Sequence, residues 1–281
     1  MKGDHTNMVT RSDFCQALRQ LNVKPGDTVL IHSSFKSLGP VEGGAESIIA
    51  GALDAIGPEG TLVLPTFTQK NFSEAYDTWH LDKHSDTGWL TNYFRKREGS
   101  LRSDQATHSV AAAGKDAQWL TGTHGHTHKR FGNFGDTPFS ADSPWEKMYH
   151  RNARIVLLGV TPMSITFRHY AEYLYMEGLL QKLEGYPEYE QMKDALWRFE
   201  KPGVWPHVYN RWVVEQLENM GLVRRTQCGN AQMLSVEAKP FVDFVLEKLQ
   251  TKDDRVLWVY DEVWSTENWL KWRDRYEEIV Y

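Results

Sequence analysis

A histidine and a glutamate stand three residues apart in the segment FRHYAEY, at His169 and Glu172. On a helix that spacing places both side chains on one face. A carboxylate against an imidazole orients the ring, selects one tautomer and stabilises the imidazolium formed when the ring takes up a proton. With an unperturbed pKa of about 6.5, such a histidine suits general-base work at neutral pH, a contribution of about 10²- to 10⁴-fold in rate. The same pair also serves as ordinary helix polarity, so spacing by itself leaves both readings open. A second group of chemistry-bearing residues lies in VLIHSSFKSLGPVEGG, Val29 to Gly44, where an apolar run breaks into a turn rich in hydroxyls and glycine before a helix-like segment. That order builds a ligand cradle. Ser33 and Ser34 there, and Ser109 in THSVAAAG, are of the type that stabilises negative charge on a carbonyl oxygen, although serines in turns also act as caps.

Two further features invite chemistry and fit it less well. His124, His126 and His128 alternate as zinc ligands on a strand would, yet no acidic or cysteine partner stands nearby at ligand spacing, so no metal is expected. Cys15 and Cys228 lack any C-x-x-C arrangement and are expected to be reduced. Cys228 could in principle carry an acyl group, but its neighbourhood offers no base and no helix N-terminus to lower its pKa.

The elements that must position these residues alternate as α/β. Arg11 to Val23 carries Phe14, Leu18 and Leu21 on one helical face, and Pro25-Gly26-Asp27 turns the chain into a strand over Thr28 to His32. A helix over Gly43 to Ile56 and a strand over Thr61 to Pro65 follow, an order that predicts parallel neighbours joined by a right-handed crossover. Ligands bind beyond the strand ends of such sheets, which gathers His32, Ser33, Ser34 and Thr66 around one mouth. A third strand, Arg154 to Gly159, meets the same rim, and a helix opening near Ser164 would carry His169 and Glu172. Segments 69–103 and 185–206 read as insertions, the first able to cover a cleft. Val208 to Met220 reads as a helix, Gly221 to Glu237 as a hairpin turned at Gly229-Asn230, and Ala238 to Leu249 as another helix. The expected fold is α/β, a mostly parallel central sheet flanked by helices with a small C-terminal hairpin-helix extension. Residues 1–256 form one domain, and the aromatic tail 257–281 packs on the body or at a homodimer interface.

Composition bounds the function. A chain of 281 residues, 41% hydrophobic, can bury a large core. A formal charge of -5 with both signs interspersed argues against a nucleic-acid partner. No apolar run approaches the roughly 20 residues of a membrane span, and MKGDHTNMVTRSD lacks the apolar core of a signal peptide, so a soluble, cytoplasmic protein is expected.

In combination, HSS-x-x-SLG at His32 to Gly39, THSVAAAG at Thr107 to Gly114, the LLGV strand end at Leu157 to Val160, and H-x-A-E at His169 to Glu172 resemble the aminoglycoside 3-N-acetyltransferase family. That resemblance, running from about Leu21 to Leu249, implies transfer of an acetyl group from acetyl-coenzyme A to a primary amine, with His169 and Glu172 as the catalytic pair. It implies a coenzyme A channel lined by Ser33, Ser34, Phe35, Gly39, Ser109 and Val110. His32 stands beside that channel, and Gly43 could bring backbone amides to the pyrophosphate. Thr66, His108 and His124 are expected to support the acceptor pocket. Gln105-Ala106 replaces a His-Pro pair usual in the family and suggests an altered acceptor pocket. The expected mechanism is direct transfer in a ternary complex without a metal or a covalent intermediate. The acceptor is an aminoglycoside 3-amino group by family archetype, or an amino-sugar nucleotide or other biosynthetic amine. Trp197, Trp205 and Tyr209 would suit stacking on its rings. A hydrolase built on the histidine triplet, and a non-catalytic ligand-binding relative, are the competing classes.

Overall fold

A computed structural model describes residues 8–68, 70, 75, 77–124, 138–190, 206–258 and 266–280. The chain enters through α1 (Arg11–Gln20), whose start is a capping box: Thr10 Oγ1 accepts from the Asp13 amide, and the Asp13 carboxylate accepts from the Thr10 amide. Strand β1 (Thr28–Ser33), helix α2 (Gly44–Ile56) and strand β2 (Thr61–Pro65) follow. Gly51 lets α1 and α2 approach closely, since a Cβ there would stand 2.6 Å from the Arg11 carbonyl oxygen.

After β2 come α3 (Trp89–Phe94), the short β3 (Leu101–Arg102), β4 (Val110–Gly114), α4 (Ala117–Thr121), α5 (Pro144–His150) and β5 (Arg154–Leu158). Helix α6 (Phe167–Leu183) starts two to three residues later than expected, with Thr166 at its N-cap position; Ser164 lies in a single 3₁₀ turn, Pro162–Ser164. The chain then forms α7 (Asn210–Asn219), the β6 (Arg224–Cys228) and β7 (Ala231–Glu237) hairpin, α8 (Ala238–Gln250) and α9 (Thr266–Val280).

Among the described residues seven strands form one sheet in the order β3-β4-β2-β1-β5-β7-β6. Its centre is parallel as expected, β1 pairing with β2 on one side and β5 on the other. The outer pairings, β2 with β4, β3 with β4, β5 with β7 and β6 with β7, are all antiparallel. The expectation of a mostly parallel sheet is therefore corrected: only the two pairings made by β1 are parallel, and the strands added outside them run in the opposite direction. The two-residue turn between β6 and β7 can only return the chain antiparallel, and this hairpin completes the central sheet through β7.

Alternation along the strands sends side chains to two cores. Val29, Ile31, Leu62, Leu64, Val156 and Leu158 face α1 and α2, whereas Leu30, Val63, Ile155 and Leu157 face the layer that includes α5, α6 and α8. His32 follows Leu30 at the two-residue period and so turns toward the α6 side. In the tail helix Trp269 is buried and packs edge-on against Tyr175 of α6, while Arg273 donates to Asp254 at 2.6 Å. Among the described residues no helix is long and apolar enough to cross a membrane.

Candidate active site

His169 and Glu172 meet on the first turns of α6, with His169 Nδ1 2.8 Å from Glu172 Oε2. Glu172 is buried, and its second oxygen accepts the Val208 amide at 2.8 Å. Val208 is held by an antiparallel bridge to Leu257. Burial works to raise the Glu172 pKa, but the field of His169, its hydrogen bond, and the charges of Arg168 and His207 outweigh that and hold it below the usual carboxylate value. An ionised carboxylate only accepts, so Nδ1 of His169 carries the proton and Nε2 keeps its lone pair. Arg168 Nε donates weakly to that lone pair at 3.3 Å. The imidazole is a third exposed.

A cavity of about 890 Å³ opens beside it. One wall is Val160, Met163, Thr166, Arg168 and His169; facing it are His32, Ser33, Ser34, Phe35 and Lys36. Ser33 ends β1 and Ser34 precedes the 3₁₀ turn Phe35–Leu38, where the Ser34 hydroxyl makes no capping bond. The turn sits on the end of β5, the Ser34 amide donating to the Leu158 carbonyl at 2.8 Å. Gly159 makes this possible. Its φ is +62°, and a Cβ would collide with Ser37. The segment expected to cover the cleft supplies Asp86, Thr87, Gly88 and Trp89 to the wall, Trp89 lying 4.8 Å from the Phe35 ring.

His108 also lines the cavity, its ring 5.8 Å from His169 and edge-on to it. Burial foremost, aided by the charges of His169, His124 and Arg168, drives its pKa well below the ordinary histidine value, so it is neutral. His32 is likewise buried and pushed down to about 3, and among the described residues its Nε2 has no hydrogen-bond partner.

Several expected site residues lie elsewhere. Ser109 is fully buried and donates to the Thr66 carbonyl at 2.9 Å, and Arg102 Nη2 donates to the same oxygen at 2.7 Å. Ser109, Thr66 and Val110 thus brace the joint between β2 and β4 and do not reach the cavity wall. Gly39 and Gly43 are also off the wall: both have positive φ, Gly39 packing on Asn230 of the hairpin and Gly43 on Ser47 of α2. His124 is buried with both ring nitrogens occupied. The Pro138 carbonyl receives Nε2–H at 3.0 Å, and Nδ1 lies 2.8 Å from Ser103 Oγ. The two contacts make His124 a brace. His126, His128, Trp197 and Trp205 fall outside the described residues; among those described, no group of three or more His, Cys, Asp or Glu side chains could hold a metal ion. Tyr209 stacks on Trp258 at 6.4 Å. Cys228 is buried, which pushes its thiol up to about 11. Arg168 and Val208 were not singled out from sequence, and the 86–89 stretch only as part of the segment able to cover a cleft; the adjacency of Arg168 to His169 was the one signal that could have flagged it.

Residues 30–250 match the model of the family described as aminoglycoside 3-N-acetyltransferase. The chain belongs to this family. It is 30% identical over 182 residues to aminoglycoside N(3)-acetyltransferase III of Salmonella sp, covering 59% of this chain and 60% of that relative's length. It is 25% identical over 279 residues to aminoglycoside N(3)-acetyltransferase IX of Micromonospora chalcea, covering 87% of this chain and 94% of that one. Its fold matches a solved structure of AAC-IIIb in binary complex with CoASH at a TM-score of 0.67, with 19% identity over 88% of this chain and 98% of that one.

Within this aminoglycoside 3-N-acetyltransferase family member, Gln105 has a visible task. Its side-chain oxygen accepts the amides of Thr107 at 2.7 Å and His108 at 2.6 Å, tying down the loop that presents His108 to the cavity. His108 Nδ1 lies 2.9 Å from Thr107 Oγ1.

Proposed function

We propose that this protein is an acetyl-coenzyme A-dependent N-acetyltransferase that acetylates a primary amine of an amino sugar, the 3-amino group of an aminoglycoside above all. The observation that carries the reading is the buried Glu172, which accepts from both His169 Nδ1 and the Val208 amide and leaves Nε2 as a lone pair at the wall of a cavity faced by Ser33 and Ser34. Family membership and the names of the relatives above agree with it.

The acceptor amine enters mostly as an ammonium ion and cannot attack until it loses a proton. His169 Nε2 takes that proton, and Glu172 stabilises the imidazolium. The nitrogen then bonds to the thioester carbonyl carbon, and the carbonyl oxygen gathers charge against the hydroxyls of Ser33 and Ser34, a donor of this kind contributing on the order of 3 kcal/mol. Collapse breaks the carbon–sulfur bond and expels coenzyme A as thiolate, which takes the proton held on His169, and the second proton of the new amide nitrogen then leaves to the freed imidazole. An acidic leaving thiol needs no strong general acid, and no step passes through a covalent enzyme intermediate.

An amino-sugar nucleotide is the second reading, favoured by Lys36 and Arg168 on a described wall whose one acidic residue is Asp86. The test is release of free thiol from acetyl-coenzyme A against a panel of aminoglycosides and amino-sugar nucleotides, with wild type and His169→Ala in parallel. Signal lost in the variant supports the reading and names the acceptor class. Equal signal in both sinks the proposed base.

A further inference from the structure

Helix α3 buries Leu90 and Phe94, which leaves Trp89 and Tyr93, one helical turn apart, side by side on its outer face. Trp89 is 57% exposed and Tyr93 40%. Their rings lie 5.9 Å apart, and the Trp89 ring lies 4.8 Å from Phe35, so three aromatic rings run in one row from the cavity wall onto the surface. A single exposed apolar side chain is ordinary, but a contiguous apolar row leading into a cavity marks a ligand surface. Beside Phe35 stands Lys36, exposed on the same wall, whose ammonium pairs with no carboxylate among the described residues. Asp86, the one acidic residue on that described wall, accepts the Lys70 amide at 2.9 Å. Glu46 ties the row to α2, accepting from the Tyr93 hydroxyl at 3.4 Å and from Arg97 Nη2 at 3.0 Å.

We propose that this row seats the nucleotide end of acetyl-coenzyme A: the adenine stacks on the Trp89 indole beside Phe35, and Lys36 meets the phosphates. This rests on the acetyl-transfer reading and deepens it. Acetyl-coenzyme A is a long molecule with unlike ends. Its thioester must reach His169 and the serines, whereas its base and phosphates call for a flat apolar face and a cation and can stay in contact with water. Stacking on an aromatic side chain suits any base, since every base has a π-face, and a lysine supplies the point charge for phosphate. The volume agrees. About 890 Å³ is the size of a pocket for one drug-sized ligand, so the acetylated arm and an amino sugar held together fill it, and the nucleotide stays at the rim. Lys36 would equally suit an acceptor that carries a diphosphate, and the two uses separate by which substrate's KM responds.

Trp89→Ala should raise the KM for acetyl-coenzyme A about tenfold with kcat and the acceptor KM held, and Trp89→Phe should keep most of the affinity. S-Acetylpantetheine, a donor with the same thioester arm and no nucleotide, should serve wild type and Trp89→Ala equally. Adenosine 3′,5′-bisphosphate, which carries the base and two of the three phosphates, should bind wild type by calorimetry, less tightly at high salt and in Lys36→Ala, and about tenfold less tightly in Trp89→Ala. An unchanged KM for acetyl-coenzyme A in Trp89→Ala overturns the proposal. So does an equal rise with both donors, which would put the arm rather than the base on the indole, and so does a rise in the acceptor KM alone, which would give the row to the acceptor. Should Trp89→Ala fail to fold by melting, wild type decides: coenzyme A binding without any binding of the bisphosphate overturns the proposal. Wild type that binds no coenzyme A would instead overturn the acetyl-transfer reading on which the proposal stands.

Discussion

Replacing Glu172 by glutamine tests the base most sharply, because it keeps shape and changes only charge and hydrogen-bond polarity. The carboxylate accepts two bonds, from His169 Nδ1 and from the Val208 amide, each 2.8 Å long. An amide has one oxygen and one NH₂ group, and so satisfies only one of those donors. Val208 N–H is backbone and cannot change sides, so the oxygen stays with it and the NH₂ faces the imidazole. His169 then accepts at Nδ1 and carries its proton on Nε2, the wrong tautomer for a base. General-base catalysis is worth about 10²- to 10⁴-fold, and a carboxylate-to-amide change behind a catalytic histidine elsewhere costs about 10⁴ in kcat, so a loss of 10²-fold or more is expected. Coenzyme A affinity should hold, because Glu172 is hidden behind the imidazole. The assay is thiol release at saturating acetyl-coenzyme A, with calorimetry for affinity. Activity within threefold of wild type, in a variant that melts normally, would refute the tautomer argument. Stability against pH gives a second check. A carboxylate depressed on folding stabilises the protein above its unfolded pKa of about 4.3, and that stability fades as pH falls through the lower folded value. The Gln variant should lack this component of acid sensitivity.

The two serine sites should part company. Ser34→Ala should lower kcat by about tenfold or more at preserved stability, whereas Ser109→Ala should leave kcat within a few-fold and cost about 1 kcal/mol in denaturant unfolding, because its hydroxyl braces Thr66. The reverse outcome would return Ser109 to the chemistry. Gly51→Ala sets two effects against each other: helix propensity predicts a gain of about 1 kcal/mol, the approach to the Arg11 carbonyl a loss of about 1–3, and a lowered Tm would show that packing wins. A buried Cys228 thiol raised to about 11 should resist alkylation at pH 8 in the folded protein, and Cys228→Ala should retain turnover; a loss of activity would reopen a covalent route.

What the sequence determined about this protein is mostly local or periodic. The helices and strands around the site follow from apolar spacing and turn residues, and the His169–Glu172 contact follows from the pitch of α6, since three residues span close to one turn. The parallel pairing of β1 with β2 follows from the short strand-helix-strand connection between them. Tertiary structure decided the rest, because it depends on residues far apart in the chain. The second acceptor bond of Glu172 comes from an amide 36 positions later, which no spacing rule reaches. Ser109 shares the serine type of Ser33 and Ser34, and only the β2–β4 pairing turns its hydroxyl inward to a carbonyl. Gly39 and Gly43 have the composition of a phosphate cradle, yet their positive φ serves packing on Asn230 and Ser47. Apart from the β6–β7 hairpin, the antiparallel pairings were illegible because strand direction depends on how the chain returns to the sheet. The place of Arg168 was equally silent: an arginine in a sequence is ordinarily a solvated charge, and only the tertiary structure sets it on the cavity wall with its Nε 3.3 Å from His169 Nε2.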